Sequence, residues 1–227
     1  MPFNAIAQNE ALKSGTGGGI AGIITHVGIN TLTTAPPTDT TPGTGTNAAA
    51  TEATGGSPAY ARIAVTWGTP ASGSVSNTGA LTFDVPAGTY GFFTLWNASS
   101  GNTNNFRGYS VFGGATPKKG FGTVDAADLT ANTITSNAHG LVNTDRVILF
   151  NVVGETIPGG VTEGGCYFVV GSATDTFQLA LTSGGAAVDL VTTQGELYFE
   201  KVVPEVFAGQ GQITAAIGAL VLDASAI

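Results

Sequence analysis

The chain is poor in charge. Only 10% of its residues are charged, and seven Lys and Arg residues leave a formal net charge of −8, whereas about 25% of an average soluble domain is charged. A protein that binds a phosphate backbone needs clustered cations. The charge balance therefore argues against a nucleic-acid partner.

Residues that carry chemistry are also scarce. The single cysteine, Cys166, excludes an internal disulfide and a cysteine-rich zinc site, and His26 and His139 are the two histidines. No metal or cofactor is expected from this set. The chain has no apolar run of about 18 residues, so we predict no transmembrane helix and no membrane partner. The stretch "MPFNAIAQNE" lacks a basic start followed by an apolar core, which predicts no secretory signal.

Glycine and small hydroxyl-bearing residues are abundant instead. There are 34 glycines, and Gly, Thr and Val weaken helices but suit short strands joined by tight turns. The one helix we predict covers residues 3–13, where Phe3, Ile6 and Leu12 share a face. Residues 33–57 consist almost entirely of Thr, Pro, Ala and Gly, which predicts an extended loop or arm.

A first series of strand-like stretches has turn signals between its members, as in an antiparallel sandwich or barrel. The stretches are 20–32, 59–67, 79–88, 89–100 and 107–113. Strict alternation places Arg62 on the polar face of its strand. In 89–100, either Phe92 with Leu95 or Phe93 with Trp96 is expected to face inward.

A second series of five strand-like pieces lies between residues 132 and 202. The tail that follows is too short to form a domain, so it must pack on something already present. We therefore predict a discontinuous β-sandwich from residues 1–116 plus 203–227, with a small β-barrel-like module inserted at 121–202. The fold class is all-β, antiparallel, with a short N-terminal helix.

Three stretches resemble a known family. They are "TEATGGSPAYARIAVTW", "GALTFDVPAGTYGFFTLWNASSG" and "EVFAGQGQITAA". Residues 55–62, 83–88 and 207–211 look like motifs of a family of small β-rich virion proteins from tailed phages of actinobacteria. Members are usually head decoration, minor tail or tail fibre proteins. The long Thr/Pro arm and the insertion depart from the family pattern.

The inserted segment carries a second resemblance. Its "NAHGLVNTDRV", "YFVV" and "DTFQL" stretches are similar to a β-module repeated in phage tail and surface proteins. In that module the His-Gly-Leu motif is structural, which implies no catalytic role for His139.

The titratable candidates each have a structural alternative. His139 is expected to satisfy turn backbone rather than act as a base, and His26 to be a hydrogen-bonded core or interface residue. Asp125 and Asp128 could bind Ca²⁺ or act as a carboxylate pair, but a turn or helix start is favoured. Cys166 is expected to pack as a small apolar residue.

Two further candidates concern binding. Lys118 and Lys119 are the only adjacent cations and are expected to lie in a solvated turn. An aromatic set could form a sugar platform, although alternation places about half of it in the core. Its members are Tyr90, Phe92, Phe93, Trp96 and Phe106.

Together these observations predict a non-enzymatic structural virion protein in many copies. We expect a capsid decoration protein, located on the particle surface, whose partners are the major capsid protein or tail proteins and further copies of itself. A minor tail or tail fibre component is the alternative. A glycan-binding surface module, with a host-surface glycan as partner, is a third hypothesis, and an enzyme acting on such glycans is the least favoured because no catalytic set is evident.

Overall fold

The computed structural model describes residues 23–32, 52–102, 105–113, 119–152, 155–191 and 195–223. Within these ranges the protein is all-β and antiparallel, which confirms the predicted fold class. The helix expected at 3–13 and residues 33–51 of the expected arm lie outside the described residues.

The elements follow in chain order. They are β1 (His26–Thr31), β2 (Ile63–Ala64), β3 (Ser74–Ser76), β4 (Leu81–Val85), β5 (Gly88–Trp96), β6 (Phe106–Val111), β7 (Lys119–Val124), α1 (Ala126–Ala131), β8 (Ile134–Thr135), β9 (Arg146–Asn151), β10 (Cys166–Val170), β11 (Thr176–Ala180), β12 (Gly195–Val202), β13 (Glu205–Phe207), β14 (Gly211–Ala215) and β15 (Val221–Asp223). Within the described ranges, no helix is long and apolar enough to cross a membrane.

The chain folds as two compact units, and the second interrupts the first. Among the described residues, the first unit takes 23–31, 52–102, 105–110 and 205–223, and the second takes 32, 111–113, 119–152, 155–191 and 195–204. We call them the sandwich unit and the barrel unit.

The sandwich unit is built around a five-stranded sheet of order β13-β5-β1-β2, in which β6 also pairs with β5. Two smaller ladders accompany it, β4 with β14 and β3 with β15. Phe83 of β4 lies with its ring centroid 6.2 Å from that of Phe93 on β5. Aromatic packing of this kind holds the β4–β14 ladder on the sheet.

The tail after residue 204 supplies three strands to the sandwich unit. β13 pairs with β5, β14 with β4 and β15 with β3. This pairing confirms the prediction that the tail packs on the earlier strands.

Three strand predictions in this unit need correction. The strand expected at 59–67 is confined to Ile63–Ala64. The strand expected at 20–32 begins only at His26. On β5 the buried side chains are Tyr90, Phe92, Thr94 and Trp96, so neither predicted pair is correct. The buried set alternates with a period of two across a register shift in the pairing with β1, and the apolar run on this strand did not reveal which alternate set faces the core.

The barrel unit is a closed six-stranded barrel of order β10-β11-β8-β7-β12-β9. Its core is filled by alternate apolar residues from every strand and from the loops. The buried members include Val124, Ile134, Leu141, Val147, Leu149, Tyr167, Val169, Phe177, Leu179, Leu197 and Phe199. The strand at β7 was not anticipated, because its Gly-rich sequence KGFGTV gives little alternation.

Candidate functional site

A buried polar cluster of the sandwich unit centres on Arg62. Its Nε and Nη2 atoms each donate to one carboxylate oxygen of Glu52 at 2.7 Å, and Nη1 donates to the Ala98 carbonyl at 3.2 Å. The guanidinium carbon lies 3.4 Å from the centre of the Trp96 ring. Arg62 is therefore buried, not on a polar face as predicted, because a flat guanidinium can pair and stack at once.

Tyr60 joins this cluster from the same motif. Its hydroxyl donates to Glu52 Oε1 at 2.9 Å and accepts the Ile29 N–H at 2.8 Å. Burial, and then the neighbouring Glu52 carboxylate, raise the pKa of Tyr60. A Cβ at Gly28 would lie 2.9 Å from the Tyr60 hydroxyl and from Glu52 Oε1, so only glycine leaves room for the cluster on β1.

The contacts of Glu52 show that the arm expected at 33–57 does not extend as far as residue 57. An antiparallel bridge pairs it with Asn30, and the next residue, Ala53, is buried and donates its N–H to the Ile29 carbonyl at 2.9 Å. The chain is thus tied to β1 from Glu52 onward. The sequence analysis did not identify Glu52 as a functional residue. The signal that could have identified it is a carboxylate within a stretch of Thr, Pro and Ala.

His26 borders the same cluster. Its Nδ1 lies 2.9 Å from the Thr25 hydroxyl, and burial, followed by the charge of Arg62, lowers its pKa. The folded protein therefore favours neutral His26, so its contribution to stability is complete above the ordinary histidine pKa and declines as pH falls. It lies in a strand and is hydrogen-bonded, as the structural alternative expects, but it is only partly buried and is not a core residue.

A second polar contact joins two motifs that are 153 positions apart in the chain. Gln210 Oε1 accepts the Ser57 N–H at 3.1 Å, and its Nε2 donates to the Pro58 carbonyl at 3.2 Å. We call this pair of bonds the Gln210 clip. The adjacent Gly56 has φ +90°, and a Cβ there would lie 2.6 Å from Gln210 Oε1.

We expect Gly56→Ala to destabilise the sandwich unit more than Gly55→Ala. Both positions have positive φ, so each alanine costs about 1 kcal/mol of backbone strain. Only Gly56→Ala also collides with Gln210, which should add about 1 kcal/mol through the lost hydrogen bonds. Urea unfolding followed by tryptophan fluorescence measures the difference, because Trp67 and Trp96 both belong to this unit.

The matched control repeats both alanine variants in a Gln210→Ala background. There the extra cost at Gly56 should shrink, since the colliding amide is gone. An equal cost for the two glycines in the wild-type background would show that the clip contributes nothing.

In the barrel unit, both ring nitrogens of His139 contact backbone, one in the following loop and one at the start of β11. Nδ1 accepts the Leu141 N–H at 3.0 Å, and Nε2 lies 3.2 Å from the Thr176 carbonyl oxygen. Because Nδ1 accepts, the ring hydrogen belongs on Nε2, which donates to that carbonyl. The ring also packs edge-on against Phe177, 5.0 Å between centroids. These contacts indicate that His139 holds the local backbone in place.

The neighbouring polar residues of the motif act in the same way. Asp175 accepts the Ala138 N–H, Asn143 accepts the Ser172 N–H, and Asp145 accepts the Val142 N–H. Asp145 also pairs with Lys201 at 2.6 Å. The polar side chains of the His-Gly-Leu segment therefore close loops at one end of the barrel.

Replacing His139 by Asn should lower the stability of the barrel unit by about 1–2 kcal/mol, because the Thr176 bond and the Phe177 contact are lost. Amide hydrogen exchange at Leu141 should accelerate, while exposed Val142→Ala serves as the control. Any particle-level function should persist. Normal folding and incorporation with complete loss of that function would contradict a structural role for His139.

The two aspartates form a helix cap. Asp125 Oδ1 accepts the N–H groups of Ala127 and Asp128 at 2.7 and 2.9 Å, and Asp128 Oδ2 accepts the Asp125 N–H at 3.1 Å. Asp128 Oδ1 accepts the hydroxyls of Thr133 and Thr135. This reciprocal capping box matches the favoured helix start and engages three of the four carboxylate oxygens of the pair.

The remaining candidates are Cys166 and the two adjacent lysines. Burial raises the pKa of the Cys166 thiol, which disfavours the reactive thiolate. Lys119 lies in β7 opposite Glu200, not in a turn, and Lys118 lies outside the described residues. Within the described ranges, no three His, Cys, Asp or Glu side chains form a group that could hold a metal ion.

The predicted sugar platform is not exposed. Four of its members are at most 5% exposed, namely Tyr90, Phe92, Trp96 and Phe106, and Phe93 packs against Phe83. The four buried rings belong to the core of the sandwich unit and Phe93 is only partly exposed, so this set does not form an exposed sugar platform.

Comparisons of the chain with protein-family models, with curated proteins and with solved structures return no match.

Proposed function

We propose that the protein is a structural component of a tailed-phage virion, in which many copies decorate the capsid. The motivation is the resemblance carried by residues 55–62, 83–88 and 207–211. The observation that supports it most is that these three stretches, far apart in the chain, adjoin in space. Gln210 bonds Ser57 and Pro58, and Gly211 pairs with Val85.

The use of polar side chains supports the same proposal. Arg62, Gln210, His139 and Asp125 all hold backbone or a buried partner in place. Such side chains rigidify two small units rather than present reacting groups to a substrate. Rigid units in many copies suit a shell component, because repeated small contacts add up over neighbouring subunits.

The sparse charge bears on how such a protein would attach. Seven cations in the whole chain cannot support a strongly electrostatic interface. The sandwich unit exposes apolar side chains, of which Val206, Ile217 and Val221 are each more than half exposed. Burying them would contribute about 25 cal/mol per Å² before ordering costs.

The direct experiment is to measure the copy number of the protein in purified virions, with an antibody raised against the recombinant chain. Hundreds of copies per particle would support a head-lattice or tail-tube position, and immunogold labelling of heads would support decoration. A handful of copies at the tail would favour a tip or fibre component. Absence from purified virions would refute a virion role.

The mode of attachment gives a second readout. Because salt screens charge pairs but hardly affects apolar burial, the protein should stay on particles in about 1 M NaCl and leave in urea. Quantitative release by salt alone would mean a charge-driven interface instead.

A further inference from the structure

The outer wall of the barrel unit carries an exposed row of aromatic side chains. On β12 the residues Leu197 and Phe199 point into the core, so Glu196, Tyr198 and Glu200 alternate outward. Tyr198 lies directly opposite Phe121 on β7 and Phe150 on β9. Three adjacent strands thus place three aromatic residues in one line across the wall.

Two of these rings are open to solvent. Phe121 is 41% exposed and Tyr198 is 49% exposed, in a protein whose other aromatic rings mostly lie in the two cores. Their ring centroids are 5.6 Å apart and the ring planes are tilted by 65°. The two rings therefore contact each other edge to face and together form an angled aromatic corner.

Polar side chains border the corner on both sides. On one side of the corner, Thr123 and Glu196 are cross-strand partners. On the other side, Lys119 and Glu200 are cross-strand partners. Burial raises the pKa of Glu200, and Lys119 opposes this shift. Hydroxyl, carboxylate and ammonium groups thus lie two residues along the strands from the rings, where they can hydrogen-bond hydroxyls of a ligand.

We propose that this corner, formed by Phe121 and Tyr198, binds an uncharged pyranose unit of a polysaccharide. The polarised C–H groups of a sugar ring's apolar face are attracted to the negative face of an aromatic ring. The bordering groups would then take the sugar hydroxyls. With one cation against two carboxylates, the corner does not favour a phosphorylated or acidic glycan.

The size and stiffness of the corner favour a sugar over a protein partner. Two rings and their polar border offer far less than the roughly 800 Å² per partner of a standard protein interface. Both rings stand on paired strands of a closed barrel, so little conformational entropy is lost when a small ligand binds. The proposal does not depend on a virion location.

The test is a glycan array probed with the full chain, biotinylated and displayed as a streptavidin tetramer so that weak single sites are strengthened by avidity. The array carries uncharged hexose and N-acetylhexosamine oligosaccharides beside sulfated and uronic-acid ones. Saturation-transfer NMR with the best uncharged oligosaccharide then measures binding of the single site. We expect binding to at least one uncharged class.

Tyr198→Thr and Phe121→Thr should each weaken that binding by at least about fivefold, the effect of losing one stacking partner. Threonine keeps the strand propensity, so the variants should fold cooperatively, with a melting temperature lowered by only a few degrees through loss of the cross-strand aromatic contact. Leu181→Thr, which alters another exposed side chain of the barrel unit, is the matched control and should bind like the wild type. Tyr198→Phe should retain most of the binding.

Three outcomes would overturn the proposal. They are no binding to any uncharged pyranose, binding confined to acidic glycans, and binding retained by both threonine variants. If virions contain the wild-type protein but exclude the threonine variants, the corner is a particle contact and not a glycan site. Absence of the wild-type protein from virions would count against the proposed function alone.

Discussion

Arg62→Ala should lower the free energy of unfolding of the sandwich unit by about 3 kcal/mol. Breaking a buried ion pair typically costs about 3–5 kcal/mol because the remaining charge is left unpaired. The Arg62 side chain is only 4% exposed, but Glu52 retains 22% exposure, so water can partly solvate the orphaned carboxylate. The lower end of the range is therefore expected.

Urea unfolding followed by tryptophan fluorescence measures this loss in the right unit. Trp96 contacts the guanidinium directly, so its emission should also change in the folded variant. Arg62→Lys keeps the charge but not the bidentate geometry, and it should restore only part of the stability.

A double-mutant cycle with Glu52→Gln tests the pairing itself. If the pair is coupled, the double variant should be less destabilised than the sum of the two single variants. A strictly additive result, or a loss below about 1 kcal/mol for Arg62→Ala, would mean that the pair does not stabilise the unit.

Deleting residues 205–227 should prevent the sandwich unit from folding. The deletion removes β13, β14 and β15 and exposes the strands that pair with them. It also removes the buried side chains of Ile213 and Leu220 and leaves the buried Asn77 side chain without the Leu220 N–H that it accepts. The tryptophan emission should shift to that of solvent-exposed indole, with no cooperative urea transition.

The reciprocal deletion is the control. Replacing residues 119–202 by a short Gly/Ser linker removes the barrel strands but leaves the sandwich ladders intact. The chain leaves the sandwich unit after β6 and returns in β13, and both strands pair with β5. This variant should keep a cooperative transition, whereas a tail-deleted chain as stable as the full chain would disprove the nested arrangement.

The sequence by itself determined the all-β class, the approximate positions of five of the six barrel strands and the dependence of the tail on earlier strands. These features follow from local signals. Low helix propensity, turn residues at regular spacing and a tail too short to bury its own core can all be read without knowing any long-range partner. The helix start at Asp125 is local for the same reason.

Only the tertiary structure decided which faces are buried and which polar residues matter. β5 is apolar on both sides, so alternation could not identify the set that packs inward. Arg62 is buried because Glu52 and Trp96, which come from other elements, compensate its charge. Gln210 gains its role from Ser57 and Pro58. Phe121 and Tyr198 form a corner only because strand register sets them opposite each other, and pairing across a sheet is a non-local property that residue spacing does not encode.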